Sequence, residues 1–388
     1  MKIVIIGGGV LGASAAFHLA GTGTRVAVID EHLDGRATAA GAGIICPWVS
    51  GVEDPVFYRL YASGGEYYPD LIASLAAAGE ADLGFRRAGA MMVSNDPREL
   101  DWIEQSARAR RAVAMGEVSR LSPAEARALF PPLEAGLGAV HVAGGARVDG
   151  RLLAAALLRA AERLGATVRC GRAVLAVEAG RAVGVDIGGE RLAADRVIVT
   201  VGAWAGELLR PLGLELPVQP QRGQIVHLRL DGWDTDHWPV ILPPGSHYIV
   251  PFDAGRIVIG ATRETGAGFD YRVTAAGQSE VLSEALRIAP GLGAATMIET
   301  RVGFRPVGAE VRPLLGWVRG IEGLAIGNGL GAAGLTIGPF AGRLLADLVT
   351  RQAGLMDLVT RLAGLMDLKP FDPMRGVGST ARIAATLR

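Results

Sequence analysis

Apolar residues along this chain fall into two styles. Lys2 to Ile6 (KIVII) is an almost unbroken aliphatic run, Val10 to Ala20 carries small and apolar residues at helical spacing, and Arg25 to Ile29 is a second aliphatic run. Runs without alternation suit parallel strands buried on both faces, so this order predicts strand, helix, strand. The style returns after residue 148. Gly150 to Leu164 reads as an Ala- and Leu-rich helix, Thr167 to Cys170 and Ala173 to Glu178 as strands, and Arg196 to Val201 (RVIVTV) as a buried strand running into Gly202. Between these blocks the pattern changes. Pro55 to Arg111 reads as mostly helical with interrupting loops, and residues 217–305 carry alternating strands. Tyr248 to Phe252 and Arg256 to Gly260, joined across Asp253, Ala254 and Gly255, form a hairpin signal.

The first loop brings chemistry into this pattern. Gly7, Gly9 and Gly12 stand in G-x-G-x-x-G register between strand and helix, with Val10 and Leu11 inside the motif. Gly7 allows the tight turn, Gly9 lets backbone approach a pyrophosphate, and Gly12 lets helix pack on strand. The helix N-terminus then points its amides at the phosphates. Asp30 closes the second strand, where a carboxylate accepts bonds from an adenosine ribose, and Glu31 follows it. An acid there argues against a 2′-phosphate, hence against NADP. The expected fold is α/β: a discontinuous Rossmann-like dinucleotide-binding domain from residues 1–50, 145–215 and 300–388. A second, α+β substrate domain on a mixed or antiparallel sheet comes from 51–144 and 216–299. A chain of 388 residues is long for one core, which agrees.

Composition removes several classes. Net charge is zero, giving no global attraction to nucleic acid or an anionic membrane. The cysteines, Cys46 and Cys170, form neither a disulfide framework nor a metal-thiolate spacing, and His18, His32, His141, His227, His237 and His247 show no ligand spacing, so no metal is expected. The first strand begins at residue 2, leaving no room for a signal peptide, and no later apolar run reads as a bilayer span. A cytoplasmic protein, with a homo-oligomer possible, is the expectation. Leu348 to Asp357 recurs as Leu358 to Asp367 with one change, Gln352 against Leu362, and reads as two short helical turns and a surface duplication.

Two further glycine-rich stretches extend the ligand signal. In Asp34 to Ile44 (DGRATAAGAGI) small residues would let the chain pass a pyrophosphate and then a flavin ring, with Gly41 and Gly43 permitting backbone contact. In Ile321 to Gly338 (IEGLAIGNGLGAAGLTIG), a glycine turn feeds a helix over Pro339 to Leu348. Its dipole would favour the negative charge of a reduced flavin.

Together these segments resemble the D-amino acid oxidase family of FAD-dependent amine oxidoreductases, which includes glycine oxidase and bacterial D-amino acid dehydrogenases. The resemblance covers almost the whole chain. It also rests on QPQRGQI (Gln219 to Ile225), TVGAWAG (Thr200 to Gly206), HYIVP (His247 to Pro251), GFRP (Gly303 to Pro306) and GLTI (Gly334 to Ile337), in order. It implies noncovalent FAD, with the pyrophosphate on Gly7 to Gly12, the ribose on Asp30, and Ala37 and Thr38 near phosphate. Gly43 and Ile44 would lie against the ring by main chain, Val174 near adenine, and Gly202 and Trp204 along the adenosine half. Asn328, Gly329, Leu330, Gly331, Ala332, Ala333, Gly334, Leu335 and Thr336 would close over the flavin's pyrimidine edge.

The resemblance also makes Arg305 the substrate-carboxylate arginine. A guanidinium between Phe304 and Pro306 in an apolar stretch needs a partner, either a gripped carboxylate or an internal acid. Tyr248 matches a tyrosine assisting that carboxylate. His247 is expected on the opposite strand face, Trp48 and Cys46 beside the pocket with a core role for Cys46 equally open, and Arg312 in a surface or structural role. One departure is Pro244, where some D-amino acid oxidases carry a lid tyrosine.

The implied activity is oxidation of the C–N bond of a small amino acid, a D-amino acid or glycine-like, by hydride transfer to flavin N5. The imino acid is then hydrolysed to a 2-oxo acid and ammonia. The electron acceptor would be oxygen, a quinone or a partner protein. Three alternatives stay open: a secondary-amine oxidoreductase acting on sarcosine, proline or hydroxyproline; a dehydrogenase of hydroxy acids or glycerol phosphate, favoured by a second basic residue in the pocket; and a flavin-binding subunit of a complex.

Overall fold

An aliphatic strand with no polar face must be covered on both sides, and Lys2–Ile6 is. In the computed structural model, which describes residues 1–110, 112–350 and 366–375, it pairs in parallel with Arg25–Asp30 and with Arg196–Val199. Thr167–Cys170 and Leu324–Asn328 extend this sheet in parallel, and antiparallel Leu314–Trp317 closes one edge. The helices are α1 (Val10–Ala20), α2 (Ala37–Ala40), α3 (Pro55–Ala77), α4 (Pro97–Arg110), α5 (Pro123–Leu129), α6 (Gly150–Arg163), α7 (Ala205–Leu209), α8 (Ala275–Ile288) and α9 (Gly334–Thr350). On one sheet face α1 packs between α6 and α9, with α3 outside α9.

The opposite face departs from the expectation that the aliphatic strands after residue 148 all join the parallel sheet. Ala173–Glu178, expected among the parallel strands, instead begins an antiparallel meander with Arg181–Ile187 and Glu190–Ala193. Its apolar side, with α7, covers the sheet where helices would otherwise lie.

The second sheet has nine strands. Its centre is the long strand Val218–Arg229, paired with Arg256–Gly260 and Glu264–Thr265 and, along its length, with Thr296–Gly308. Tyr248–Pro251 and Arg256–Gly260 make the expected hairpin. Val240–Leu242, Ala90–Ser94, Gly138–Val142 and Val118–Leu121 complete it. Ala90–Ser94 lies inside the segment expected to be mostly helical; it is a buried strand because its Ala-Met-Met-Val-Ser run is covered on both faces. Thr296–Gly308 runs across residue 300, an expected domain boundary, and α3, expected with the substrate domain, packs in the core of the parallel sheet. Arg312 ties α3 down instead of lying free: with two α3 amides it binds Asp54, the helix N-cap, at 2.8 Å.

Between the two sheets runs a band of charge. Arg147, 1 % exposed, donates to Asp253 at 2.6 Å, and Asp149, the N-cap of α6, accepts from Arg256 at 3.1 Å. Contrary to the reading of the apolar runs, Gly331–Thr350 has the length and apolar character of a membrane span, but most of it is buried against α1 and α3. The duplicated segment Leu348 to Asp367 lies outside the described residues except at its ends.

Gly12 is among the tightest points of this fold: a Cβ there would stand 2.0 Å from the Gly7 carbonyl and 2.4 Å from Thr200 Oγ1. Gly12→Ala should therefore cost about 3 kcal/mol or more, an overpacking penalty against backbone. Gly136→Ala, facing open space on the surface, should stay within about 0.5 kcal/mol. Thermal midpoints of the two purified variants check the contrast; equal midpoints would remove the packing role.

Candidate active site

The phosphate loop sorts its glycines by task. Gly7 has φ +103°, and a Cβ on it would press on the Thr200 carbonyl at 2.6 Å. Gly12 serves the packing of helix on strand and does not line the cavity. At Gly9 a Cβ would meet only Thr38 Oγ1, at 3.2 Å, so the backbone there is bare toward open space. Thr38 accepts the Val10 N–H at 3.1 Å. Asp30 is held by two amides: Oδ2 accepts from Gly8 at 2.7 Å and Oδ1 from His32 at 2.8 Å, which aims its remaining lone pairs along the loop.

From this loop a cavity of about 1140 Å³ runs to Arg305. Gly7, Gly9, Val10, Leu11, Asp30, Glu31, Ala37, Thr38, Gly43, Ile44, Val174, Gly202 and Trp204 line it, as do Asn328, Leu330, Gly331, Ala332, Gly334 and Leu335. Gly329, Ala333 and Thr336, expected with them, do not. Gly329 turns toward Pro313 with φ +72°, and Ala333 packs into the helical core. Thr336 is buried and donates to the Ile44 carbonyl at 2.9 Å. It shapes the wall from behind. The reason for Gly43 also differs from expectation: at φ +78° its missing Cβ would strike the Val148 carbonyl, not a ligand. Asn328 joins two walls, donating to the Gly202 carbonyl at 2.9 Å and accepting from the Gly329 N–H at 2.7 Å.

The far end is built on the second sheet. Arg305 lies across Gly223 on the neighbouring strand, where a Cβ would come within 2.5 to 2.7 Å of the guanidinium. It donates to the Thr262 carbonyl at 3.0 Å, and among the described residues no carboxylate pairs with it. Burial lowers its pKa, while the facing Tyr248 hydroxyl opposes that shift. Burial likewise raises the Tyr248 pKa, so the phenol stays protonated and able to donate. Gly260 makes room for it: a Cβ would sit 2.9 Å from the Tyr248 hydroxyl. Gly223, Gly260, Thr262 and Arg263 escaped the sequence reading, although Gly223 lies within the QPQRGQI motif. Arg263 also lines the cavity.

Two expectations change here. Trp48 does not line the cavity; it is 1 % exposed in the apolar cluster behind it, its indole N–H buried without a partner among the described residues, while Cys46 does line it. A large ring two residues beyond Cys46 turns inward because the loop closes as a short 3-10 turn. His247 reaches the cavity as well as Tyr248, but its Nε2 is 3.2 Å from Glu280 of α8.

A bare-backbone loop at a helix N-terminus, an oriented carboxylate and an elongated cavity fit a dinucleotide as long as FAD, with the phosphates on Gly7 to Val10 and the far half toward Ile44 and Leu330. Residues 2–348 match the FAD dependent oxidoreductases. The chain belongs to that family. It is 52% identical to the solved iminodiacetate oxidase of Chelativorans sp. BNC1, which superposes with a TM-score of 0.90 over 96% of this chain and 98% of that one. An uncharacterized oxidoreductase of Bacillus subtilis, YurR, is 51% identical over 89% of this chain and 94% of its own length. A glycine oxidase of Pseudomonas putida is 33% identical over 90% and 94%. This family member is accordingly an FAD-dependent oxidoreductase with the D-amino acid oxidase fold.

Gly9→Val should fold but lose most of its FAD, because a branched side chain fills the bare approach. The ratio of visible flavin absorbance to protein absorbance measures it; stoichiometric FAD in a folded variant would overturn the loop assignment. Acid precipitation of the wild type should release all the flavin, as expected of noncovalent binding.

Proposed function

We propose that this family member oxidises the C–N bond of a small amino acid, and that its preferred substrate is an N-substituted glycine of the iminodiacetate type. Arg305 carries the reading: a guanidinium held against bare backbone, beside a protonated tyrosine and without an acid partner among the described residues, is a ready fork for a carboxylate. The likeness to the iminodiacetate oxidase and the glycine oxidases supports the bond and the substrate type.

FAD, when bound, supplies the two-electron acceptor. The protein's part is orientation. Arg305 would take both carboxylate oxygens and Tyr248 would donate its O–H to one of them, turning encounter into a fixed geometry. The acids lining the cavity, Asp30, Glu31, Asp34 and Glu207, belong to the phosphate-loop and Gly202 segments, so no carboxylate base stands at the Arg305 end. With the His247 imidazole turned toward Glu280, the substrate amine would then arrive neutral. With oxygen as acceptor, as the relatives' names suggest, an N-carboxymethyl amine, O2 and water give the shorter amine, glyoxylate and H2O2. Two free thiols, Cys46 and Cys170, suit a reducing cytoplasm.

A second reading, oxidation of a C–O bond in an anionic hydroxy compound, draws on Arg263 as a further cation beside Arg305 and Tyr248. Anaerobic bleaching of the flavin by hydroxy acids and not by amino acids would select it.

Arg305→Met should keep FAD but lower kcat/KM on glycine or sarcosine about a thousandfold, because the transition state no longer has a charged bidentate partner. Methylamine and dimethylamine, which lack the carboxylate, should be penalised far less. Arg305→Lys should restore part of the activity only, because an ammonium has no planar fork. An equal fall on acids and amines would assign Arg305 to fold or flavin.

A further inference from the structure

Resting on that reading, we propose that Arg263 binds a second carboxylate on the substrate, and that Arg222 is the positioning residue that holds Arg263 over the cavity. Two further arginines around this end of the cavity, Arg263 and Arg222, have opposite circumstances. Arg222 is 6 % exposed and satisfied by two acids, Glu264 and Asp270, the latter through both its carboxylate at 2.7 Å and its carbonyl at 3.2 Å. Arg263 lines the cavity, is exposed, and has no hydrogen-bond or ion-pair partner among the described residues. Its charge is felt by both Arg305 and Tyr248. Two cations facing one cavity repel, and a single monocarboxylate satisfies one of them; a dianion with carboxylates at its two ends satisfies both.

The segment carrying Arg263 is held by one strand. On Val218–Arg229, Gly223 and Ile225 line the cavity, whereas Arg222 and Gln224, pointing the other way, hold residues 264–274. Gln224 donates to Glu264 at 2.8 Å and to Thr274 at 2.9 Å, and the Thr262 hydroxyl donates to Glu264 at 2.8 Å. Phe269 stacks on Trp204 with ring centroids 5.1 Å apart. Thr262, whose carbonyl takes the Arg305 N–H, is the residue immediately before Arg263. The backbone that carries Arg263 is therefore tied through Thr262 to the Arg305 guanidinium, while the Arg263 side chain itself reaches free into the cavity.

The test compares two secondary amines that differ by one carboxylate, iminodiacetate and sarcosine, in the holoenzyme and in R263M, R263K, R222K and D270N. R263M should raise KM for iminodiacetate by about tenfold to a hundredfold, the range of a hydrogen bond to a charged group, and change sarcosine by less than about threefold. R263K should recover part. D270N, and R222K if it folds, should shift KM and not kcat, in the same substrate-selective direction but less, with FAD content unchanged. Binding of unreactive acids gives a second readout: diglycolate should lose affinity in R263M and methoxyacetate should not, by calorimetry on the holoenzyme. Equal effects on the mono- and dicarboxylate, or none on either, overturn the proposal. If the wild type oxidises neither amine, the C–N reading fails by itself, and the diglycolate-to-methoxyacetate ratio still decides Arg263.

Discussion

A guanidinium laid against the α-carbon of a glycine is the arrangement on which this site depends. Arg305 can occupy its place only because Gly223, on the neighbouring strand, has no side chain, and the strand pairing sets Gly223 opposite Gly303 and Gln221 opposite Arg305. Sliding either strand by one residue would reverse which side chains face the cavity. The placement of Arg305 is thus a property of sheet register, and the register is enforced by twelve paired positions along two long strands. The band of charge between the sheets, Arg147 with Asp253 and Arg256 with Asp149, then locks this sheet to the helix that follows the flavin wall.

Much of the nucleotide half could be read directly from the chain. Strand, glycine loop, helix, strand and acid act locally, so their physics is written in adjacent residues, and Lys2–Ile6, α1 and Asp30 lie where that physics puts them. Local patterns fared worse where coverage decides the outcome. Ala90–Ser94 could not be told from a helix because its apolar run has no alternation, and it became a strand only by insertion between Val240–Leu242 and Gly138–Val142. Ala173–Glu178 was legible as a strand but not as the start of a meander, since partner choice is nonlocal.

The site shows the same division. Arg305 stood out as a charge in an apolar stretch, and the structure gives it the Thr262 carbonyl and the Tyr248 hydroxyl as neighbours, with no acid paired to it among the described residues. Gly223, Gly260 and Arg263 did not stand out, because a glycine's missing side chain matters only against a neighbour that the fold supplies, and an exposed arginine is unremarkable until a cavity opens beneath it. Trp48 misled for the opposite reason: nearness in sequence to Cys46 suggested nearness to the pocket, and a single tight turn sent it inward.

The strand that carries both the grip and the outer segment divides what can change from what cannot. Within Val218–Arg229 an inserted or deleted residue would turn Arg222 into the cavity and Gly223 out of it, so length there is frozen. The segment it suspends has slack: Gly266 and Gly268 face open space between the anchors at Glu264 and Asp270. That short stretch can therefore be lengthened or rebuilt, reshaping the far end of the cavity, while the strand that places Arg305 keeps its register.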